Sequence, residues 1–144
     1  MPTRVAVVGA GSWGTAVAAI CARNAPTTLW ARRPELADEV NRDHTNLTYL
    51  PNFALPEKLR GTASLEEAMD GADVVVMAVP SHGFRAVLEG GSGFLAPGAA
   101  IVYGHARCVR LTSAHDASPS GGSAAKGRRR SGFCENIIRG CRWC

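Results

Sequence analysis

Gly9, Gly11 and Gly14 are the residues whose type and spacing most directly suggest chemistry, because G-x-G-x-x-G brings bare backbone against a phosphorylated ligand. Each glycine has its own task. Gly9 permits a tight turn, Gly11 lets the chain approach a pyrophosphate with no Cβ in the way, and Gly14 allows a helix to pack close to the preceding strand. The anion would rest on the first free N–H groups of a helix starting at Gly11 to Ser12, where the helix dipole also favours negative charge. Two further residues carry chemistry. Arg32 and Arg33 lie 18 and 19 residues beyond Gly14, where a site selective for the 2′-hydroxyl would hold a carboxylate; guanidinium groups there can pair with a 2′-phosphate. The alternative for the pair is a solvated charge cluster at a strand end.

Positioning these residues takes a strand, a helix and a second strand in quick succession. Val5-Ala6-Val7-Val8 is an apolar β-branched run, and residues 12–23 are apolar with no breaker until Asn24-Ala25-Pro26. Thr27-Thr28-Leu29-Trp30 reads as the second strand. Pro34 suits the first turn of a helix over 34–41, and Leu36 and Val40 share a face. Residues 42–59 contain Pro51 and Pro56 with little periodicity, and a connection this long tends to be functional. Ser64-Leu65-Glu66-Glu67 is a capping-box pattern for a helix ending at Gly71. Residues 73–79 form a continuous apolar run of the kind buried on both faces of a parallel sheet. A helix carrying Phe84, Val87 and Leu88 and a fifth strand over 99–103 complete the series β-α-β-α-(β)-α-β-α-β, in which the bracketed third strand precedes the 64–71 helix and 73–79 is the fourth. With right-handed crossovers this is an α/β, Rossmann-type doubly wound parallel sheet that binds NAD or NADP, with NADP favoured by the two arginines.

Charge and cysteine content divide the chain. Residues 1–103 hold 8 Lys/Arg against 10 Asp/Glu, whereas residues 104–144 hold 8 against 2, so the net charge of +4 belongs to the second part. Four of the five cysteines, Cys108, Cys134, Cys141 and Cys144, also fall there, and an odd total gives no complete disulfide framework. Composition predicts a nucleotide-binding domain over 1–103 and a disordered basic tail over 104–144. Arg128-Arg129-Arg130, without an aromatic platform or recognition helix, would give only salt-sensitive contact and no specific nucleic-acid binding. Of the tail cysteines, only Cys141 and Cys144 have a usual ligand spacing, and no metal site is expected. Arg4 ahead of apolar residues 5–21 fits a secretory signal loosely, but glycines at fingerprint spacing argue against it. No membrane span is expected, and the chain reads as cytoplasmic.

Gly9 to Ala16 (GAGSWGTA), Leu29-Trp30-Ala31-Arg32, Tyr49-Leu50-Pro51 and Ala78-Val79-Pro80-Ser81, in this order and spacing, resemble bacterial NAD(P)-dependent glycerol-3-phosphate dehydrogenase over about residues 3–103. The resemblance implies interconversion of dihydroxyacetone phosphate and sn-glycerol 3-phosphate, which feeds phospholipid synthesis. It further implies that Ser12 and Trp13 contact the cofactor; otherwise they are a helix cap and a core residue. Tyr49 would lie near the nicotinamide, or else plug the core, and Pro80 would stand at the switch point between strands. In that family a Lys-Gly motif follows the fifth strand, and the proton-transferring lysine belongs to an all-helical domain. Here Tyr103-Gly104-His105-Ala106-Arg107-Cys108 stands at that point, followed by Arg-, Cys-, Ser- and Gly-rich sequence of the kind a frame change or fusion produces. No catalytic residue is therefore expected in this chain, His82 is read as structural or solvent-facing, and the alternative function is a non-catalytic remnant or nucleotide-binding module. The face that docks the helical domain in the family would be uncovered, favouring self-association.

Overall fold

The structure, a computed structural model, describes residues 2–105 and 108–112. Strand β1 (Val5–Val8) runs into α1 (Ser12–Ala22), followed by β2 (Thr27–Trp30), α2 (Pro34–Asp43), β3 (Leu59–Thr62), α3 (Leu65–Met69), β4 (Val74–Met77), α4 (Ser81–Gly91), a 3-10 turn (Ser92–Phe94), β5 (Ala100–His105) and β6 (Cys108–Thr112). The strands lie in the order β3-β2-β1-β4-β5-β6. The first five are parallel; β6 pairs antiparallel with β5. This is the expected doubly wound sheet: strands are added outward from β1 to β3 on one side and from β4 to β6 on the other, so the strand order switches between β1 and β4.

Alternation along the central strands creates two cores. Val5 and Val7 face one side with Leu29, Leu59 and Val76, under Ala18 and Ala22 of α1 and Leu36 and Val40 of α2. Ala6 and Val8 face the other with Val75, Met77 and Ile101, under Met69 of α3 and Phe84 and Leu88 of α4. Val7, Val75, Leu88 and Ile101 are wholly buried, each burial stabilising by roughly 1.5–3 kcal/mol. Strands enclosed on both faces read as unbroken apolar runs, which is why β1 and β4 are so plain in sequence.

β3 is different. Its sequence, Leu-Arg-Gly-Thr, carries little strand signal, and the sequence reading leaves a place for a strand before the 64–71 helix without assigning residues to it. The strand forms because β2 offers a partner from Thr27 to Trp30 and because Asn41 of α2 grips its outer edge. The Asn41 side-chain amide donates to the Gly61 carbonyl and accepts from the Gly61 N–H, both at 2.8 Å, satisfying backbone groups that would otherwise be open at the sheet edge. Ser64 caps α3 as expected, its hydroxyl accepting from the Glu67 N–H at 3.2 Å. The return bond of a capping box is absent: the Glu67 carboxylate accepts the Thr62 hydroxyl instead.

Of the segment read as a mostly disordered tail, the structure describes only residues 104–105 and 108–112. Residues 104 and 105 continue β5, and 108–112 form β6, since an unsatisfied β5 edge can be paired by any following segment able to turn back. The remainder of the tail, with Arg128-Arg129-Arg130, His115, Cys134, Cys141 and Cys144, lies outside the described residues. Among the described residues no helix is long and apolar enough to cross a membrane.

Candidate dinucleotide site

The carboxyl ends of β1, β2 and β4 open onto a cleft of about 820 Å³. Open α/β sheets bind ligands in this place, where adjacent strands send their connections to opposite faces. Gly9, at φ +120°, makes the turn off β1; a Cβ there would stand 2.7 Å from the Ala78 carbonyl oxygen. At Gly14 a Cβ would collide with the Gly9 carbonyl oxygen and lie 2.9 Å from the Ala78 Cβ. The turn, the helix and the end of β4 are thus packed backbone to backbone. Gly11 behaves differently, because a Cβ built there meets nothing within 4 Å and points into open space. The first i→i−4 bond of α1 runs from the Thr15 N–H to the Gly11 carbonyl at 2.9 Å, so the amides of Ser12, Trp13 and Gly14 precede the helical ladder at its positive end.

All nine residues expected to contact the cofactor line this one cleft: Gly9, Gly11, Ser12, Trp13, Gly14, Arg32, Arg33, Tyr49 and Pro80. Gly11 supplies the cap of α1 by backbone alone, and Ser12 is an exposed first-turn residue with no capping bond. Trp13 is 49% exposed, so it is no core residue. Arg32 and Arg33 follow β2 on the rim; among the described residues the single ion pair is Arg42–Asp43, and no carboxylate pairs with either arginine. Tyr49 stands 42% exposed with the Arg33 guanidinium 5.9 Å from its ring centre. That contact puts Tyr49 beside the end of β2 on the cleft wall. His82, read from sequence as structural or solvent-facing, is exposed and also on the cleft wall, next to Pro80 and Gly83 at the start of α4.

Sequence reasoning missed the apolar floor of Ala78, Val79 and Val87, and it missed Asn46 altogether. Asn46 is wholly buried. Its side chain donates to the Ala10 carbonyl at 3.1 Å and to the Thr15 hydroxyl at 2.7 Å, and accepts from the Tyr49 N–H at 3.1 Å. An asparagine in an irregular connection gives no sequence signal of burial, since turns favour the same residue. Neither shifted carboxyl nor thiol lies in the cleft. Burial raises the Cys21 thiol on α1, and the Arg42 guanidinium lowers the Asp43 carboxyl. Among the described residues no His, Cys, Asp and Glu cluster could hold a metal ion.

The arrangement can grip a diphosphate on backbone amides, leave room for it at Gly11, and meet further negative charge with two arginines at the β2 end. Residues 4–106 match the model of the NAD-dependent glycerol-3-phosphate dehydrogenase N-terminus. The chain belongs to that family. It is similar to a glycerol-3-phosphate dehydrogenase [NAD(P)+] of Sphingopyxis alaskensis, with 41% identity over 140 residues, 97% of this chain and 38% of that protein. The corresponding Mycobacterium avium enzyme is 56% identical over 86 residues, 59% of this chain and 25% of that one. Among solved structures, glycerol-3-phosphate dehydrogenase from Coxiella burnetii superposes with a TM-score of 0.67 at 32% identity, over 72% of this chain and 32% of that chain. The chain therefore spans between a quarter and two fifths of the length of these relatives, and the family model places the match in their amino-terminal, NAD-binding part.

Proposed function

We propose that this chain binds NADPH in preference to NADH in the cleft at the ends of β1, β2 and β4. In the cytoplasm it would serve as the nucleotide-binding half of an enzyme that interconverts dihydroxyacetone phosphate and sn-glycerol 3-phosphate for phospholipid synthesis. The observation that carries the cofactor assignment is the open space at Gly11 facing the first amides of α1, in a cleft that also holds Arg32 and Arg33. Gly11, Ser12, Trp13 and Gly14 would hold the pyrophosphate, Arg32 and Arg33 the 2′-phosphate, and Tyr49 the adenosine end. The dinucleotide, when bound, supplies the hydride for reduction of a carbonyl. The chain's own residues bind and orient, because among the described residues the acid–base side chains lining the cleft are Arg32, Arg33, Tyr49 and His82, with no lysine among them.

Fluorescence of Trp13 and Trp30 follows binding directly, and NADPH should quench it at lower concentration than NADH. Absence of any response to both cofactors would sink the assignment. NADPH oxidation with dihydroxyacetone phosphate separates the two functional readings: no turnover is expected from this chain alone, as for a non-catalytic nucleotide-binding module, whereas turnover would mean that a group from the tail beyond residue 103 completes the site. Trp13, Ile20, Leu47, Tyr49 and Phe53 are exposed apolar side chains, and self-association through them is expected at high concentration. A clean monomer by sedimentation under those conditions would count against it.

A further inference from the structure

We infer that Asn46 is a positioning residue that ties the Tyr49 side of the cleft to the glycine loop, a role that rests on the nucleotide assignment above. Its side-chain amide touches three separate segments. The Ala10 carbonyl belongs to the glycine loop, the Thr15 hydroxyl to α1, and the Tyr49 N–H to the 44–58 connection. A carbonyl can only accept and a backbone N–H only donate, so these partners fix which side of the amide carries the nitrogen. Both Nδ2 hydrogens are used and Oδ1 takes the third bond. Asn46 is wholly buried and does not itself line the cleft.

The surrounding chain is shaped to deliver that side chain inward. His44 ends α2 at φ 52°, a left-handed residue that turns the chain back toward α1. Glu39 then clamps both neighbours of Asn46, accepting from the Thr45 hydroxyl at 3.1 Å and from the Leu47 N–H at 2.7 Å. On the far side, the Leu50 N–H bonds the Asn46 carbonyl at 2.8 Å and closes a short loop with Tyr49 near its tip. Tyr49 has no helix or strand of its own to fix it. Its backbone is held by the Asn46 amide, and its ring meets Arg33. Breaking the Asn46 bonds should therefore leave the glycine loop's residues in place by sequence while freeing Tyr49, and with it the Arg33 contact, to wander from the adenosine end. The effect is on preorganisation, so it reads out as affinity without any lost ligand contact.

The test uses the full chain and variants on both sides of the Asn46 amide. Thr15→Val removes the hydroxyl at nearly constant volume, whereas Thr15→Ser keeps it; neither residue lines the cleft. Thr15→Val should weaken NADPH and NADH alike by about tenfold and speed hydrogen exchange of the Tyr49 amide by a similar factor, as loss of one buried hydrogen bond predicts. Thr15→Ser should restore both to within about twofold, because the bond is retained. Asn46→Ala should exceed Thr15→Val in both readouts. In a Tyr49→Ala background the affinity penalty of Thr15→Val should vanish, since the residue being positioned is gone. Undiminished, additive penalties in that background would overturn the inference, as would a folded Thr15→Val chain with unchanged affinity and Tyr49 exchange. If Asn46→Ala fails to fold, the Thr15 pair still decides. Failure of the unmodified chain to bind either cofactor would defeat the nucleotide assignment instead, and the exchange rate of the Tyr49 amide would then decide the role of Asn46 by itself.

Discussion

The two walls of the cleft are built by different physics. The phosphate wall, as we call the side proposed to hold the pyrophosphate, runs from Gly9 to Gly14 against Ala78; it is backbone packed on backbone, and what it requires of the sequence is the absence of side chains. The opposite wall, with Arg33 and Tyr49, is side-chain work. It depends on one buried amide reaching 31 residues to Thr15 and 36 to Ala10. The first wall tolerates nothing larger than glycine where backbone meets backbone. The second can be loosened by degrees, because hydrogen bonds and ring contacts are lost one at a time.

The largest effect should come from putting a side chain into the packed part of the phosphate wall. Gly14→Val drives a Cβ into the Gly9 carbonyl, which cannot rotate away, and stability should fall by about 3 kcal/mol or more. A melting temperature equal to that of the unmodified chain would show that the α1–β1 contact is looser than described. Gly11→Val makes the sharper contrast within the same loop. Its Cβ enters open space and its backbone needs no positive φ, so the free protein should melt normally while both cofactors bind about a hundredfold more weakly, the order expected for losing several charge-assisted bonds. Normal binding by Gly11→Val would place the pyrophosphate elsewhere.

On the opposite wall, changing Arg32 and Arg33 together to Ala should remove an NADPH preference of about 1–3 kcal/mol, any loss shared with NADH coming from the freed Tyr49 ring. Because Arg33 also stands against Tyr49, Arg32→Ala alone tests the 2′-phosphate contact with the ring pair intact. Equal affinity for the two cofactors in the unmodified chain would break the assignment. The smallest effect belongs to Arg42 and Asp43, which pair at 2.9 Å on the exposed end of α2, away from both walls. Asp43 is held below the usual carboxylate range, so its contribution is present above the unfolded value near 3.8 and is lost as pH falls through the folded one. Solvent screens the pair, and Arg42→Ala should leave acid stability and cofactor affinity unchanged within error in thermal melts between pH 3 and 7. A clear loss of stability above pH 4 would show that the end of α2 matters to the fold more than its exposure suggests.

The phosphate wall was legible in the sequence because its requirements are local. An apolar β-branched run, three glycines at fixed offsets and an apolar helix lie within residues 5–22, and β4, ending at Met77 just before Ala78, declares itself by the same burial on both faces. Arg32 and Arg33 were legible for a similar reason, since their distance from Gly14 is set by one helix and one strand. A place for a third strand was legible but its residues were not, because Leu-Arg-Gly-Thr becomes a strand only when β2 and Asn41 supply its partners. Nor was β6, whose pairing needs the edge that β5 presents. The place of Tyr49 was likewise decided by tertiary structure. Spacing put an aromatic residue in the connection, but only the folding of that connection over α1, with Asn46 buried beneath it, set the ring against Arg33 at the β2 end. Local backbone requirements are written into consecutive residues. A buried side chain joining its own connection to the glycine loop and α1, 36 and 31 residues away, has no such record, because those partners become neighbours only when the sheet and helices have brought them together.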